Sequence, residues 1–132
     1  MFELSVVTPQ GPTLESVQVD EVTAPGVEGE FGVLPGHIPF ISATKAGVLS
    51  YRKGGETSRV AVGPGYVEVD MKGAVAVLVR KAVVASKVDT AAVEQQQRDL
   101  EGKLAGSGLS DAERVALREE LAFAEAQKEA QR

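Results

Sequence analysis

The chain has 132 residues, of which 43% are hydrophobic, and this length and composition suit one domain or one small domain with an appendage. The absence of cysteine excludes disulfides, thiol catalysis and thiolate metal sites, and one histidine cannot supply the histidine-rich shell of a catalytic zinc. The net charge of −5 argues against nucleic acid, which needs clustered Lys and Arg, so the partner should be a protein or a small molecule.

The start of the chain lacks the basic residues and apolar block of a signal peptide. No run anywhere approaches the roughly 20 apolar residues that are needed to span a bilayer. We therefore expect a protein that is made and kept in the cytosol.

Short runs of β-branched and alternating residues occupy the chain up to about Ser86, and this pattern predicts strands separated by turns. Many short strands with tight turns predict a β-sandwich or barrel. The run 75–79, Val-Ala-Val-Leu-Val, contains no polar residue and predicts a central strand that is covered on both faces. The predicted strands are residues 2–8, 17–23, 47–52, 59–62, 66–71 and 74–84.

Glycine and proline are most concentrated in residues 26–39, where four glycines and two prolines surround the single histidine. Glycine tolerates positive φ, and proline fixes φ and restricts the residue before it. This segment is therefore predicted to hold one defined, loop-rich shape that presents a surface.

Two helices are predicted after Val88, where proline is absent and alanine becomes frequent. Asp89 is the predicted N-cap of the first helix, and Ser110 and Glu113 have the spacing of a capping box that opens the second. Both helices carry thin apolar stripes, so their position on the rest of the protein could be conditional. We predict two domains, a sandwich over 1–86 and a mobile helical hairpin over 87–132.

The segment 29–39, Gly-Glu-Phe-Gly-Val-Leu-Pro-Gly-His-Ile-Pro, together with the later strand pattern and Val88-Asp89 before the first helix, resembles the epsilon subunit of bacterial F-type ATP synthases. The resemblance covers essentially the whole chain. It implies an antiparallel β-sandwich of about ten strands followed by a C-terminal two-helix antiparallel hairpin. It also implies a non-catalytic central-stalk subunit, peripheral at the cytoplasmic face of the bacterial plasma membrane.

The partners implied by the resemblance are proteins. The sandwich would bind the gamma subunit and rest on the polar loops of the c-subunit ring, helping to couple proton flow to ATP synthesis without inserting into the membrane. The hairpin would extend conditionally into the alpha/beta catalytic head and restrain ATP hydrolysis.

Motif positions then assign residue roles. A carboxylate and an imidazole on rigid backbone can hydrogen-bond polar loops without a deep pocket, and Glu30 is the first choice. A single histidine near a turn is otherwise more often a local structural hydrogen-bonder. The residues expected to contact the ring are Glu30, Phe31, Gly32, Val33 and His37, and those expected to shape the motif backbone are Gly29, Pro35, Gly36 and Pro39.

Some members of this family bind ATP through a motif in which Asp is followed by an arginine three residues later. Here Asp89 is kept, but Ala92 stands where that arginine belongs. No nucleotide, other cofactor, metal or catalytic residue is therefore predicted. Arginines of the hairpin could pair with carboxylates of the catalytic head, although solubility and intrahelical pairing explain each one taken alone. These arginines are Arg98, Arg114 and Arg118.

Two other functions remain open from sequence. A free-standing β-sandwich could bind a small ligand or peptide and use the hairpin for dimerisation, which predicts a stable homodimer without affinity for gamma. An enzyme ranks third, because cysteine is absent, histidine is single and no serine lies in a recognisable nucleophile elbow.

Overall fold

The computed structural model describes all 132 residues and contains ten strands, one 3₁₀ turn and two helices. The predicted fold class, a sandwich of about ten strands followed by a helical hairpin, is confirmed. The elements are β1 (Phe2–Thr8), β2 (Gly11–Val19), β3 (Glu21–Gly26), β4 (Gly29–Val33), β5 (Phe40–Thr44), β6 (Gly47–Lys53), β7 (Glu56–Val62), β8 (Gly65–Val69), β9 (Val75–Val79), β10 (Ala82–Val84), the 3₁₀ turn (Ala85–Lys87), α1 (Thr90–Leu104) and α2 (Asp111–Gln131).

The strands form one sheet that curls into a nearly closed sandwich. Its order is β10-β7-β6-β3-β5-β8-β9-β1-β2, and β4 pairs with β3 outside this path. Neighbouring strands are antiparallel except β1 and β9, which are parallel. The two terminal strands, β10 and β2, contact each other, so the sheet nearly closes on itself.

The interior of the sandwich is an aliphatic core built mainly from valines at alternate strand positions. β-Branched side chains suit this environment because they pack well on a pleated surface. Fifteen buried residues form this core: Phe2, Leu4, Val6, Val19, Val22, Ala24, Val33, Leu49, Val60, Val62, Val67, Val69, Val75, Val77 and Val79.

The predicted single strand 17–23 is wrong, because the chain breaks at Asp20 into β2 and β3. The Asp20 N–H donates to the Arg52 carbonyl at 2.8 Å, and its carboxylate accepts from the Gly54 N–H at 2.9 Å. Asp20 therefore ties the β6–β7 turn to the sheet. Val19 and Val22 are both buried on either side of the break, so the alternation changes phase there.

The predicted burial of residues 75–79 on both faces is also wrong. Val75, Val77 and Val79 are buried, but the Leu78 side chain between them is 46% exposed. The predicted run 74–84 is divided at Arg80 and Lys81, which connect β9 to β10. The apolar outward side of β9 is thus a surface of the sandwich.

Both predicted helix starts are confirmed. The Asp89 carboxylate accepts from the Ala92 N–H at 3.1 Å, and Ser110 and Glu113 form a reciprocal capping box. Two hydrogen bonds with Ser110 hold the pKa of the Glu113 carboxyl below its usual range. The one with the Ser110 backbone has the larger effect, and the one with its side chain has the smaller. Neither helix has the length and apolar character that crossing a membrane requires.

The hairpin packs on the sandwich through α2. Phe123, Ala126 and Ala130 of α2 cover Ala61 of β7, and Val48, Val83 and Ala85 border this contact. Helix α1 packs on α2, where Val93 meets Ala124. The hairpin is therefore attached by two small clusters that are separate from the sandwich core.

Candidate partner-binding surfaces

Strand β4 is an edge strand because it pairs only with β3. Glu30 lies opposite Pro25, which has no N–H and whose carbonyl accepts instead from the Lys45 N–H at 3.0 Å. The backbone groups of Glu30 must therefore point away from β3, toward the free edge. The side chain of Glu30 is exposed, so both its backbone and its carboxylate are open to a partner.

A tight turn follows β4 at residues 34–37. The His37 N–H donates to the Leu34 carbonyl at 3.2 Å, and Gly36 has a φ of 82°. Proline at the second turn position and a positive-φ glycine at the third define a type II turn. Pro35 and Gly36 thus supply the rigid backbone that places the next residue, His37.

The His37 ring is held by two contacts. Its centroid lies 4.9 Å from that of Phe40, and its Nδ1 donates to the Ile38 carbonyl oxygen at 2.9 Å. In the neutral ring this hydrogen bond leaves Nε2 as the acceptor. Phe40 also meets Phe31 edge-to-face at 5.6 Å, so the turn is fastened to β4 through aromatic packing.

An open groove of about 680 Å³ lies between β4 and β5, and Glu28, Glu30 and His37 are among its lining residues. Its charged residues are both acidic and its lining also contains five apolar residues, so it suits a partner segment that combines basic or polar groups with apolar ones. The structure thus brings Glu30, Phe31, Gly32 and His37 to one groove. Val33 departs from this arrangement: its side chain is 1% exposed and belongs to the core.

A second surface lies on the outward face of β5, β8, β9 and β1, and sequence reasoning missed it. The strand register aligns four side chains across this face, which we call the apolar row: Ala43, Tyr66, Leu78 and Val7. Tyr66 is 57% and Leu78 46% exposed, and Ile41 lies beside the row at 69%. Such a contiguous exposed apolar patch is typical of a protein-binding surface.

The apolar row borders a shallow cavity of about 560 Å³ at one end of the sandwich. Arg80 is the one charged residue in its lining. Thr44 also lines it, and its buried Oγ1 has no hydrogen-bond partner. Alternation along the strands could have revealed this surface from sequence. Leu78 lies between the core residues Val77 and Val79, and Tyr66 lies between Gly65 and the core residue Val67.

The three hairpin arginines do not form one cluster. Arg98 of α1 donates to Gln95 Oε1 at 2.9 Å, and Arg114 of α2 donates to the Leu104 carbonyl at 3.4 Å. Arg114 therefore braces the turn between the helices. Arg118 is exposed on α2.

Polar contacts add to the docking of the hairpin. Arg80 Nη1 lies 3.5 Å from Glu119 Oε2, and Lys81 Nζ lies 5.9 Å from the centre of the Phe123 ring. Gln131 Nε2 donates to the Val88 carbonyl at 3.1 Å. A small cavity of about 200 Å³ remains at this seam between the sandwich and α2. Residues 88–93, which correspond to the nucleotide motif, comprise the two residues before α1 and its first turn, and the Asp89 carboxylate is already used there as the cap.

Comparisons with known proteins agree on one family. Residues 1–85 match the family model described as the ATP synthase delta/epsilon chain, β-sandwich domain. An ATP synthase epsilon chain of Magnetococcus marinus is 42% identical over 126 residues, covering 95% of this chain and 90% of the relative. That of Citrifermentans bemidjiense is 43% identical over 105 residues, covering 76% of this chain and 75% of the relative.

Two solved structures share the fold. One is a chain in the Euglena gracilis mitochondrial ATP synthase, solved as OSCP/F1/c-ring, with a TM-score of 0.82 and 22% identity over 99% of this chain and 81% of that one. The other comes from the central stalk and c-ring of the Tetrahymena thermophila mitochondrial ATP synthase, with a TM-score of 0.64 and 13% identity over 99% of this chain and 96% of that one. At these identities the likeness establishes the fold.

Proposed function

This chain belongs to the epsilon-chain family of ATP synthases, and from that premise we propose that it is a non-catalytic rotor subunit that couples ion flow to ATP synthesis and restrains ATP hydrolysis. The observation that carries the proposal is the presence of three different surfaces on one small protein. The β4–β5 groove carries two exposed carboxylates, the apolar row crosses β5, β8, β9 and β1, and the hairpin docks on β7. The groove and the row adjoin at Ala43 of β5. A central-stalk subunit needs such contacts for the ring, the stalk and the catalytic head.

The gamma subunit is the partner that we assign to the apolar row. A permanent subunit contact needs apolar burial, and Tyr66, Leu78 and Ile41 offer large exposed side chains on a rigid sheet. Strands β8 and β9 hold this row in register, so little ordering cost is left for binding.

The c-subunit ring is the partner that we assign to the β4–β5 groove. Its lining combines apolar side chains with two carboxylates and His37, which can hydrogen-bond polar loops, and Glu30 offers its carboxylate at the free edge of β4. His37 Nε2 supplies a further polar group on a turn that is fixed by Pro35 and Gly36. The protein would thereby sit peripherally at the cytoplasmic face of the membrane, in contact with the ring and not with lipid.

The helical hairpin is the element that we assign to the restraint of hydrolysis. Its attachment through the small Phe123 and Val93 clusters permits undocking without loss of the sandwich core. When extended, the hairpin would present Arg98, Arg114 and Arg118 to carboxylates of the alpha/beta head. Extension would also free Arg114 from the turn that it braces.

The test is steady-state ATP hydrolysis by the matching alpha, beta and gamma subunits, alone, with the full chain, and with a version that ends at Ser86. We expect both forms to bind the head and only the full chain to slow hydrolysis. Binding without inhibition by either form would retain the stalk role and remove the brake. Failure of both forms to bind would overturn the proposed function.

A further inference from the structure

Arg80 stands where two surfaces of the molecule meet. It lines the cavity beside the apolar row, and it also lines the seam cavity between the sandwich and α2. It follows Leu78 of the row by two residues and precedes Lys81, which lies near the Phe123 ring. A substitution or a new contact of Arg80 therefore alters both surfaces.

The ion pair that links Glu119 of the hairpin to Arg80 is weak. One guanidinium nitrogen meets one Glu119 oxygen at 3.5 Å, and the two side chains are 75% and 45% exposed. Exposed pairs of this kind contribute little because water screens them and the long side chains lose rotamer freedom. The remaining guanidinium N–H donors are left for another acceptor, and a carboxylate that approaches in plane could bind two of them.

The residues that line the two cavities indicate the chemistry of a partner that would compete with Glu119 for Arg80. Beside the apolar row, Arg80 is the single charge among apolar and small polar residues. At the seam, Arg80 and Lys81 face Glu119 and Glu120. A partner that buries the row and takes Arg80 would leave two carboxylates at the seam with one lysine, which weakens the docking of α2.

We propose that two carboxylates compete for Arg80. The protein that covers the apolar row binds Arg80 through a carboxylate of its own, which displaces Glu119 and thereby loosens the hairpin. This inference rests on the proposed function, in which gamma covers the row. It adds the chemistry of the partner, an apolar surface with an acidic side chain at the Arg80 end. It also makes gamma binding and hairpin docking antagonistic, by the same factor in both directions.

A double-mutant cycle tests the competition with the full chain and the isolated gamma subunit of the same enzyme, which omits the catalytic head. The variants are Arg80→Ala, Glu119→Gln and the combination, and titration calorimetry gives their affinities for gamma. We expect Glu119→Gln to tighten binding about two- to fivefold, because it frees Arg80, in line with the strength of exposed ion pairs. Arg80→Ala should weaken binding at least threefold, and adding Glu119→Gln to it should change nothing further.

The matched control is the other ion pair, Arg52–Glu21, at 3.2 Å and with side chains 46% and 40% exposed. Neither residue lines either cavity, so Glu21→Gln should leave gamma affinity unchanged. Additive effects of the two variants, or no effect of Glu119→Gln, would overturn the competition while gamma binding by the unmodified chain still supports the rotor function. Absence of gamma binding by the unmodified chain would instead overturn both. Thermal unfolding of each variant checks that these exposed substitutions leave the fold intact.

Discussion

Glu30 is the side chain on which the assignment of the ring-binding groove depends most. It is exposed on an edge strand, and the type II turn and His37 lie across the same groove. We expect Glu30→Ala to weaken binding of the assembled head to ring-containing vesicles about fivefold, or about 1 kcal/mol, the net contribution typical of one hydrogen bond. A titration of vesicle-bound head measures this, and affinity for isolated gamma should not change.

Glu56→Ala is the control for this prediction. Glu56 is also an exposed acid, at the start of β7, and does not line the groove. If both variants reduce ring binding alike, net charge explains the effect and Glu30 has no specific contact. If neither does, the groove is not the ring-binding site.

At the residue scale, the motif located the groove but not the direction of each side chain. Glu30 and Gly32 are exposed, whereas Phe31 is half-buried and Val33 is buried, because alternate residues of β4 face opposite sides. The motif segment was predicted as loop-rich, and so the alternation of a strand was not applied to it. Gly29 and Gly32, two of the five residues of β4, concealed the strand signal.

At the element scale, caps and turns were predictable because their causes are local. The Asp89 and Ser110 caps depend on hydrogen bonds that span three residues. The break at Asp20 was not predictable in this way, since it depends on Arg52 and Gly54, more than 30 residues later in the chain. The exposure of Leu78 likewise depends on which strands flank β9 and on whether α2 covers that face.

The pairing of β8 with β9 gives a prediction at the same scale. A Cβ on Gly65 would overlap the Leu78 carbonyl oxygen and lie 2.8 Å from Val79 Cα, and this backbone cannot yield without moving β9. We expect Gly65→Ala to lower the free energy of unfolding by about 2 kcal/mol, as overpacking does, and to weaken gamma binding through the displaced apolar row. Urea denaturation measures the first effect and calorimetry with gamma the second.

Gly55→Ala is the matched control, because a Cβ there meets no atom within 4 Å. Its free energy of unfolding and its gamma affinity should stay close to those of the unmodified protein. An equally small effect of Gly65→Ala would mean that β8 and β9 are not packed as tightly as the structure indicates.

At the scale of the whole molecule, apolar packing is distributed unequally. The sandwich core contains fifteen buried residues, whereas the two clusters that attach the hairpin contain four and three. Phe123 is the largest side chain in these attachments, and burying one such residue contributes roughly 1.5 to 3 kcal/mol. The free energy that holds the hairpin is therefore much smaller than that of the sandwich core, and local opening of the hairpin should precede global unfolding.

This inequality predicts that one substitution can release the hairpin and leave the sandwich folded. Ala126 is 3% exposed against the sandwich, so Ala126→Glu would bury an unpaired carboxylate unless α2 moves away. We expect hydrogen exchange of α2 amides around residues 123–130 to accelerate at least tenfold, while amides of β1 and β9 keep their protection. Ala112→Glu adds the same charge at an exposed position of α2 and should change neither set. Loss of protection in β1 and β9 along with α2 would show that the hairpin and the sandwich unfold as one cooperative unit, which would leave the proposed brake without a mobile element.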